Sequence, residues 1–265
     1  MKKLKPSNDI DDVYSILDST LFLKTKKKSL YDGFKKNKTI NEVLDKPTIL
    51  TIYGMIKSQI LSYVNGVIRA GKESVVFWAV SSTNDDIALK TYLVSTASFK
   101  KRASYILGDP RFSRIKSGTR NLVYLWAKKE YQNLTRCIGC DIPVVKPIAV
   151  RKNVLALEFI GKNGVPEKTL AECQVNKKDY KSAILLIEQL YKKAHLVHGD
   201  FSEYNIFKTK NGLILFDLGS AVDLQHPNSQ ELLKRDINNI SRFFVKRGLT
   251  VENPIDVLKN IRNEL

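Results

Sequence analysis

The sequence predicts an α+β molecule of two lobes, a small β-rich lobe followed by a reduced α-rich one, with a helical extension ahead of both. Three observations carry this. The apolar period shortens from helical to alternating at Tyr63 and becomes helical again at Tyr180. A glycine, Gly161, separates the two regimes. The 265 residues are 43% hydrophobic, enough for a sizeable core without disulfides. The resulting boundaries are 1–62 for the extension, 63–160 for the β-rich lobe and 161–265 for the α-rich lobe.

Taken in order, Val13, Ile16 and Leu17, then Ile40, Val43 and Leu44, then Ile49 to Leu61 beyond Pro47 have helical spacing. Three antiparallel strands follow. The first runs through Val67-Ile68 to a turn at Ala70-Gly71-Lys72, the second is Val75 to Val80, and the third is Ile87 to Val94 beyond a polar loop. A long basic loop leads to a helix from Thr119 to Cys137, which Cys137-Ile-Gly-Cys140 ends. Two strands, Ile148 to Val150 and Val154 to Phe159, flank the Lys152-Asn153 turn. The α-rich part has a helix from Tyr180 to Ala194, a hairpin of Ile206-Phe207 with Leu213 to Phe216 closed at Asn211-Gly212, and a helical stretch from Leu232 to Phe244.

Forty-four Lys and Arg against 27 Asp and Glu give a formal charge of +17 and predict attraction to polyanions through counterion release. From Asp223 onward seven basic residues face six acidic ones, so the excess lies upstream. Lys24 to Lys38 holds seven Lys against Asp32, and Lys100 to Lys129 holds nine Lys or Arg against Asp109. Both stretches are expected to bind RNA, with Arg111 and Lys116 as alternative ligands of nucleotide phosphates. Three cysteines, an odd number, point to a reducing compartment; with no 18-residue apolar run and no apolar stretch behind Met1-Lys-Lys-Leu-Lys-Pro, the expected location is the cytoplasm, with no membrane contact.

The densest polar cluster in an apolar setting is His198-Gly-Asp200-Phe-Ser-Glu-Tyr-Asn205. Asn205 precedes the first strand of the hairpin and Asp217 follows the second, so antiparallel pairing brings the two to its open end, with Asp200 on the loop leading in. Two carboxylates and an amide oxygen are hard ligands suited to Mg²⁺ that leaves part of its shell to phosphates. Lys90 shares a strand face with Ala88 and Tyr92. Glu130 lies on a helix stripe with Trp126 and Leu134, and an acid on a buried stripe needs a partner, for which Lys90 is the candidate. Together these residues complete a phosphoryl-transfer site.

These residues, with Ala70-Gly-Lys-Glu-Ser74, Ala88-Leu-Lys90, Gly108-Asp-Pro-Arg-Phe112, Trp126-Ala-Lys-Lys-Glu130, Leu157-Glu-Phe-Ile-Gly161 and Asp217-Leu-Gly219, resemble the protein-kinase-like superfamily, and within it the RIO family of atypical serine/threonine kinases, RIO-one subfamily, archaeal type. The resemblance covers nearly the whole chain from about Val43. It implies a two-lobed protein-kinase-like fold and an ATP- and Mg²⁺-dependent phosphotransferase, with Mn²⁺ as an alternative metal. Lys72, Glu73 and Ser74 replace the glycine-rich loop of ordinary kinases, and Ala88, with these three, belongs to the nucleotide site. Lys90 and Glu130 form the phosphate-positioning pair, and the backbones of Glu158 and Ile160 meet adenine. Asp200 is the catalytic aspartate, and Asn205 and Asp217 hold the metal. By the same resemblance His198 braces the catalytic loop, as does Asp236 from the helical stretch Leu232 to Phe244. The family's setting implies the small ribosomal subunit precursor and its RNA as partners, with a protein substrate as a further candidate.

Only 46 residues follow Gly219, with no Ala-Pro-Glu, so weak peptide kinase activity is expected. The resemblance to the RIO family implies a partial ATPase that passes through a phosphorylated aspartate, here Asp217. Two other readings stand beside it: an ATP-gated RNA-binding assembly factor with little kinase activity, and a small-molecule kinase on the same fold.

Overall fold

A computed structural model of the protein describes residues 44–94, 102–112 and 118–263. The helical spacing at Val13 to Leu17 and at Ile40 and Val43, the run Lys24 to Lys38, and Lys100, Lys101, Arg114 and Lys116 lie outside the described residues.

Helix α1, Lys46–Lys57, starts where the Asp45 carboxylate accepts the Thr48 N–H at 3.0 Å and Pro47 fixes the first turn. It stops because Gln59 turns left-handed, with φ 60°, and the Ile60 N–H bonds back to Met55. Leu61, read from the sequence as the end of this helix, instead opens strand β1, Leu61–Ala70. The junction expected at 62/63 thus falls inside β1, and Ile49, Ile52 and Met55 of α1 share a core with the sheet.

Strands β2 (Ser74–Ser81), β3 (Asp86–Tyr92), β4 (Pro147–Arg151) and β5 (Val154–Glu158) complete an antiparallel sheet ordered β1-β2-β3-β5-β4. Helix α2, Thr119–Ile138, packs on it through a broad face that includes Val123, Trp126, Ala127, Glu130, Leu134 and Cys137. Gly139 ends α2, so Cys137 and Cys140 straddle its C-terminus as expected; both are free thiols, and burial pushes that of Cys137 up to about 12.

A short ribbon of β6 (Gly161–Lys162) and β7 (Val165–Pro166) follows the linker at Phe159-Ile160. Gly161 is obligatory here: at φ 153° a Cβ would sit 2.2 Å from the Val165 carbonyl oxygen. Helix α3, Lys177–Lys192, begins with a capping box of Asn176 and Asp179. Then come β8 (Leu196–Val197), the hairpin β9 (Ile206–Thr209) and β10 (Gly212–Leu215), β11 (Val222–Asp223) paired with β8, and helices α4 (Ser229–Lys246) and α5 (Pro254–Arg262). Helix α5 is absent from the sequence reading because it buries only Val257 and Ile261, too few positions to show a period. The α-rich lobe has its own core, which includes Leu186, Leu190, Leu215 and Phe244 and reaches up to Leu155 and Leu157 of β5. Among the described residues no helix is long and apolar enough to cross a membrane.

Candidate active site

The hairpin fixes the polar cluster. Leu215 pairs with Ile206, and the Phe216 N–H donates to the Asn205 carbonyl at 2.9 Å, so Asn205 and Asp217 leave the two strands side by side. Asn205 then reaches back: its Nδ2 donates to the Asp200 carbonyl at 2.9 Å and to Asp200 Oδ2 at 3.4 Å. That orientation spends the amide's donors on the loop and keeps Oδ1 without a protein donor among the described residues. Asp217 itself adopts a left-handed conformation, φ 59° and ψ 61°, a strained state for a non-glycine residue that surrounding contacts must hold.

Lys90 supplies one such contact. It comes from β3, register-paired with Val76 and Leu155, and its Nζ meets both Glu130 oxygens at 2.9 Å and Asp217 Oδ1 at 2.8 Å. The Tyr92 hydroxyl donates to the other face of the Glu130 carboxylate. Glu130 is fully buried and the Lys90 side chain is 9% exposed, while that of Asp217 is 40% exposed, so the ion pair opens to solvent only through Asp217. Burial works against every charge here. It pushes Glu130 up to about 7 against the pull of Lys90, whereas for Lys90 the opposing charges of Asp217 and Glu130 outweigh burial and raise its value. Asp217 is held below its ordinary range, because Lys90, with help from Arg102, outweighs burial. Asp200 moves up, first by burial and then by the like charge of Asp217.

The catalytic-loop candidate is rigid. Asp236 of α4 accepts the Gly199 N–H at 2.7 Å and the Phe201 N–H at 3.0 Å, as the resemblance implies, and stays 1% exposed. His198 accepts the Asp200 N–H through Nδ1 at 3.2 Å, and burial brings its ring down to about 4, so it remains a neutral acceptor. His195, outside this network, is exposed.

The remaining predicted residues line the approach. Lys72 is exposed on the β1–β2 turn; the Glu73 carboxylate pairs with Arg102, and the Ser74 carbonyl accepts the Gly71 N–H at 2.9 Å. Ala88 lies between Trp78 and Leu157 in the sheet, next to the Lys90 pair. Glu158 ends β5 with its N–H committed to the Lys146 carbonyl at 2.8 Å, and the Ile160 carbonyl accepts Glu167 N–H at 2.8 Å.

Among the described residues of the basic segment, the cations do not share one solvent-facing surface. Arg111 is tied to Asp109 at 2.7 Å and donates to Asn133 Oδ1 at 2.8 Å, so its guanidinium is already held within the chain. Lys129 is wholly buried and donates to the carbonyls of Gly219 and Ala221, the second of which also accepts from Asn133 Nδ2 at 3.0 Å. Arg102 stacks 4.7 Å from the Trp126 ring and its charge acts on Asp217 and Asp200. Arg102, Lys129, Asn133 and Arg235 are site residues that sequence reasoning missed. The available signal was on α2, where Lys129 and Asn133 follow Trp126 at helical spacing, on a helix otherwise forced to be buried.

The donor set fits a divalent cation. Asp217 Oδ2 and Asn205 Oδ1 are hard oxygens without protein donors among the described residues, beside an Asp200 whose raised value a cation would relieve. A sheet lobe over a helical lobe, with a lysine–glutamate pair above and a carboxylate–amide set below, defines a two-lobed phosphotransferase fold. The backbone aligns with the Rio2 kinase–ADP/Mg²⁺–phosphoaspartate complex from Chaetomium thermophilum at a TM-score of 0.65, 22% identity, and coverage of 96% of this chain and 75% of that one. Residues 75–256 match the RIO domain, and the chain belongs to the RIO family. It is 38% identical over 212 residues to the RIO-type serine/threonine-protein kinase Rio1 of Methanocaldococcus jannaschii, covering 79% of this chain and 72% of that protein. It is 36% identical over 215 residues to the serine/threonine-protein kinase rio1 of Dictyostelium discoideum, of whose length it spans 38%.

Proposed function

We propose that the chain transfers the γ-phosphoryl group of ATP to a serine or threonine hydroxyl in a Mg²⁺- or Mn²⁺-dependent reaction. The observation that carries this reading is Lys90 Nζ held between Glu130 and Asp217 at the open end of the hairpin. In that position a lysine is aimed at phosphate oxygens and kept charged by its two acids. The acceptor oxygen bonds to the γ-phosphorus as the bond to the leaving ADP oxygen breaks, and Asp200 takes the hydroxyl proton. Asp200's raised value favours this role, since a base nearer neutrality holds a proton more readily. Asn205 and Asp217 would hold the metal, which supplies charge neutralisation at the phosphates. The 72–74 turn and Ala88 would enclose the nucleotide, with the backbones of Glu158 and Ile160 meeting adenine. Self-phosphorylation would fall on Asp217, the residue type modified in the Rio2 complex.

A second reading is favoured by one observation, the net charge of +17. It makes the protein an ATP-gated factor that binds the small ribosomal subunit precursor and its RNA in the cytoplasm and turns over rarely. The test measures nucleotide affinity, ATP turnover and phosphate incorporation in Asp200→Ala and Lys90→Ala proteins. Asp200→Ala should lose about 10²–10⁴ in transfer rate while ATP affinity changes only a few-fold. Lys90→Ala should lose both. Wild-type turnover in Asp200→Ala overturns the assignment, and stoichiometric RNA binding without phosphate transfer in the unmodified protein selects the second reading.

A further inference from the structure

Helix α4 does more than brace the catalytic loop. Its stripe at Arg235, Asn238, Asn239 and Arg242 faces the turn Ala103–Tyr105, and a cleft of about 540 Å³ lies between them. Arg235 forms the end of the cleft nearest the chemistry. Its guanidinium donates to the Gly199 carbonyl, one residue before Asp200, and to the Tyr105 hydroxyl at 3.1 Å. The opposite wall is fixed by His226, whose Nε2 sits 3.0 Å from both the Ser104 and the Leu107 carbonyls. The cleft is therefore already built.

Four of its lining side chains are unspent. The side chains of Lys234 and Arg242 make no ion pair or hydrogen bond among the described residues, and neither do the half-buried amides of Asn238 and Asn239. Glu231 is the one acid on the rim. Lys234 and Arg242 are separated by eight residues, about 12 Å along a helix at 1.5 Å per residue. An extended chain advances about 3.3 Å per residue, so two acidic side chains three or four residues apart would reach both cations. Single-stranded RNA fits less well, because it needs exposed aromatic faces for its bases. Tyr105 is packed edge-on against Trp126 at 6.2 Å with its hydroxyl engaged, and so offers none.

We propose that this cleft binds the acceptor segment: an extended acidic peptide lying along α4 whose serine or threonine hydroxyl reaches Asp200 past Arg235. The inference rests on the phosphotransferase reading and adds the substrate class. The two amides would bond the peptide backbone, while Lys234 and Arg242 select for Asp or Glu.

The experiment uses the full chain with ADP and Mg²⁺ and fluorescent peptides carrying one serine flanked by acidic, neutral or basic residues, with an oligouridine strand beside them. Binding is read by anisotropy in the wild type, in Lys234→Glu/Arg242→Glu, and in Lys181→Glu/Lys259→Glu, a charge-matched control on other exposed surface; melting temperatures verify folding. The acidic peptide should bind at least ten-fold more tightly than the neutral one, lose that advantage in Lys234→Glu/Arg242→Glu, and keep it in the control. Equal affinity for acidic and neutral peptides, or an unchanged preference in the cleft variant, overturns the proposal. So does a variant that loses oligouridine binding and keeps its peptide. Phosphate incorporation, measured with ATP in place of ADP, separates the two levels. An acidic peptide that binds as expected yet is never phosphorylated sinks the transfer reading and the acceptor role, whereas equal phosphorylation of every peptide by wild type and variant sinks the cleft alone.

Discussion

Lys90 has three oxygen partners within 2.9 Å and a side chain only 9% exposed, so removing Lys90 leaves the buried Glu130 carboxyl without its cation, and removing Glu130 leaves Lys90 with Asp217 alone. Breaking such a pair from one side typically costs about 3–5 kcal/mol, whereas replacing both partners with apolar groups of similar size is often near neutral. Lys90→Met and Glu130→Leu should each lower unfolding free energy by about that amount, and the double variant by much less than their sum. Urea titration of the four proteins checks this, and simple additivity would show that the two side chains are not energetically coupled. The electrostatics of Asp200 make a separate prediction. Its value is raised by burial and then by Asp217, so in Asp217→Asn a carboxyl-carbon NMR titration of Asp200 should move down toward the ordinary range. An unmoved titration would place the two carboxylates too far apart to share a cation.

At the scale of elements, α4 acts through a single carboxylate. Asp236 accepts two backbone N–H groups of the 199–201 loop, and Asp236→Ala would leave both donors buried and unsatisfied, at about 1–3 kcal/mol each. With Asp200 between those donors, the variant should lose turnover more than ATP affinity, because the nucleotide contacts proposed above lie elsewhere, on β3, α2, the 72–74 turn and the linker. Steady-state kinetics beside calorimetric ADP binding decides it; equal losses in both would make Asp236 a fold-stabilising residue only. The Lys90–Glu130 pair and the Asn205–Asp217 mouth were legible in the sequence because hairpin closure and helical periodicity are local rules that project side chains predictably, whereas the Asp236 contact was expected from the resemblance to kinases alone. Arg102, Arg111 and Lys129 were misread for the converse reason. A basic residue in a polar stretch looks the same whether it faces solvent or caps a carbonyl ninety residues away, and the partners Glu73, Asn133 and Gly219 are brought near only by tertiary packing. Helix α5 was invisible because two buried positions do not make a period.

On the scale of the molecule, the lobes are joined by more than the linker. Lys129 and Asn133 of α2 bond the carbonyls of Leu218, Gly219 and Ala221, and Gly219 is small enough for that loop to approach Trp126, where a Cβ would meet the indole nitrogen at 2.6 Å. Helix α2 therefore cannot swing away from the Asp217 loop without exposing these bonds, and Lys129 is the buried cation among them. Burial brings its amine down to about 7 from 10.5, with Asp109 pulling the other way and Arg111 and Arg102 adding to the fall. A folded value below the unfolded one means that between pH 10.5 and 7 the unfolded chain takes up a proton the folded chain refuses. This contribution to stability is thus present in full above pH 10.5 and is lost as pH falls to about 7, with a slope of at most about 1.4 kcal/mol per pH unit. Lys129→Met should lower stability at every pH, because the Gly219 carbonyl loses its side-chain donor and Ala221 keeps only Asn133, and should also flatten that slope. Denaturant unfolding of both proteins at pH 7 and pH 9.5 gives the comparison. If the wild type gains no more than the variant between those values, Lys129 is held as a charged ammonium and the junction between the lobes is a permanent ionic clasp.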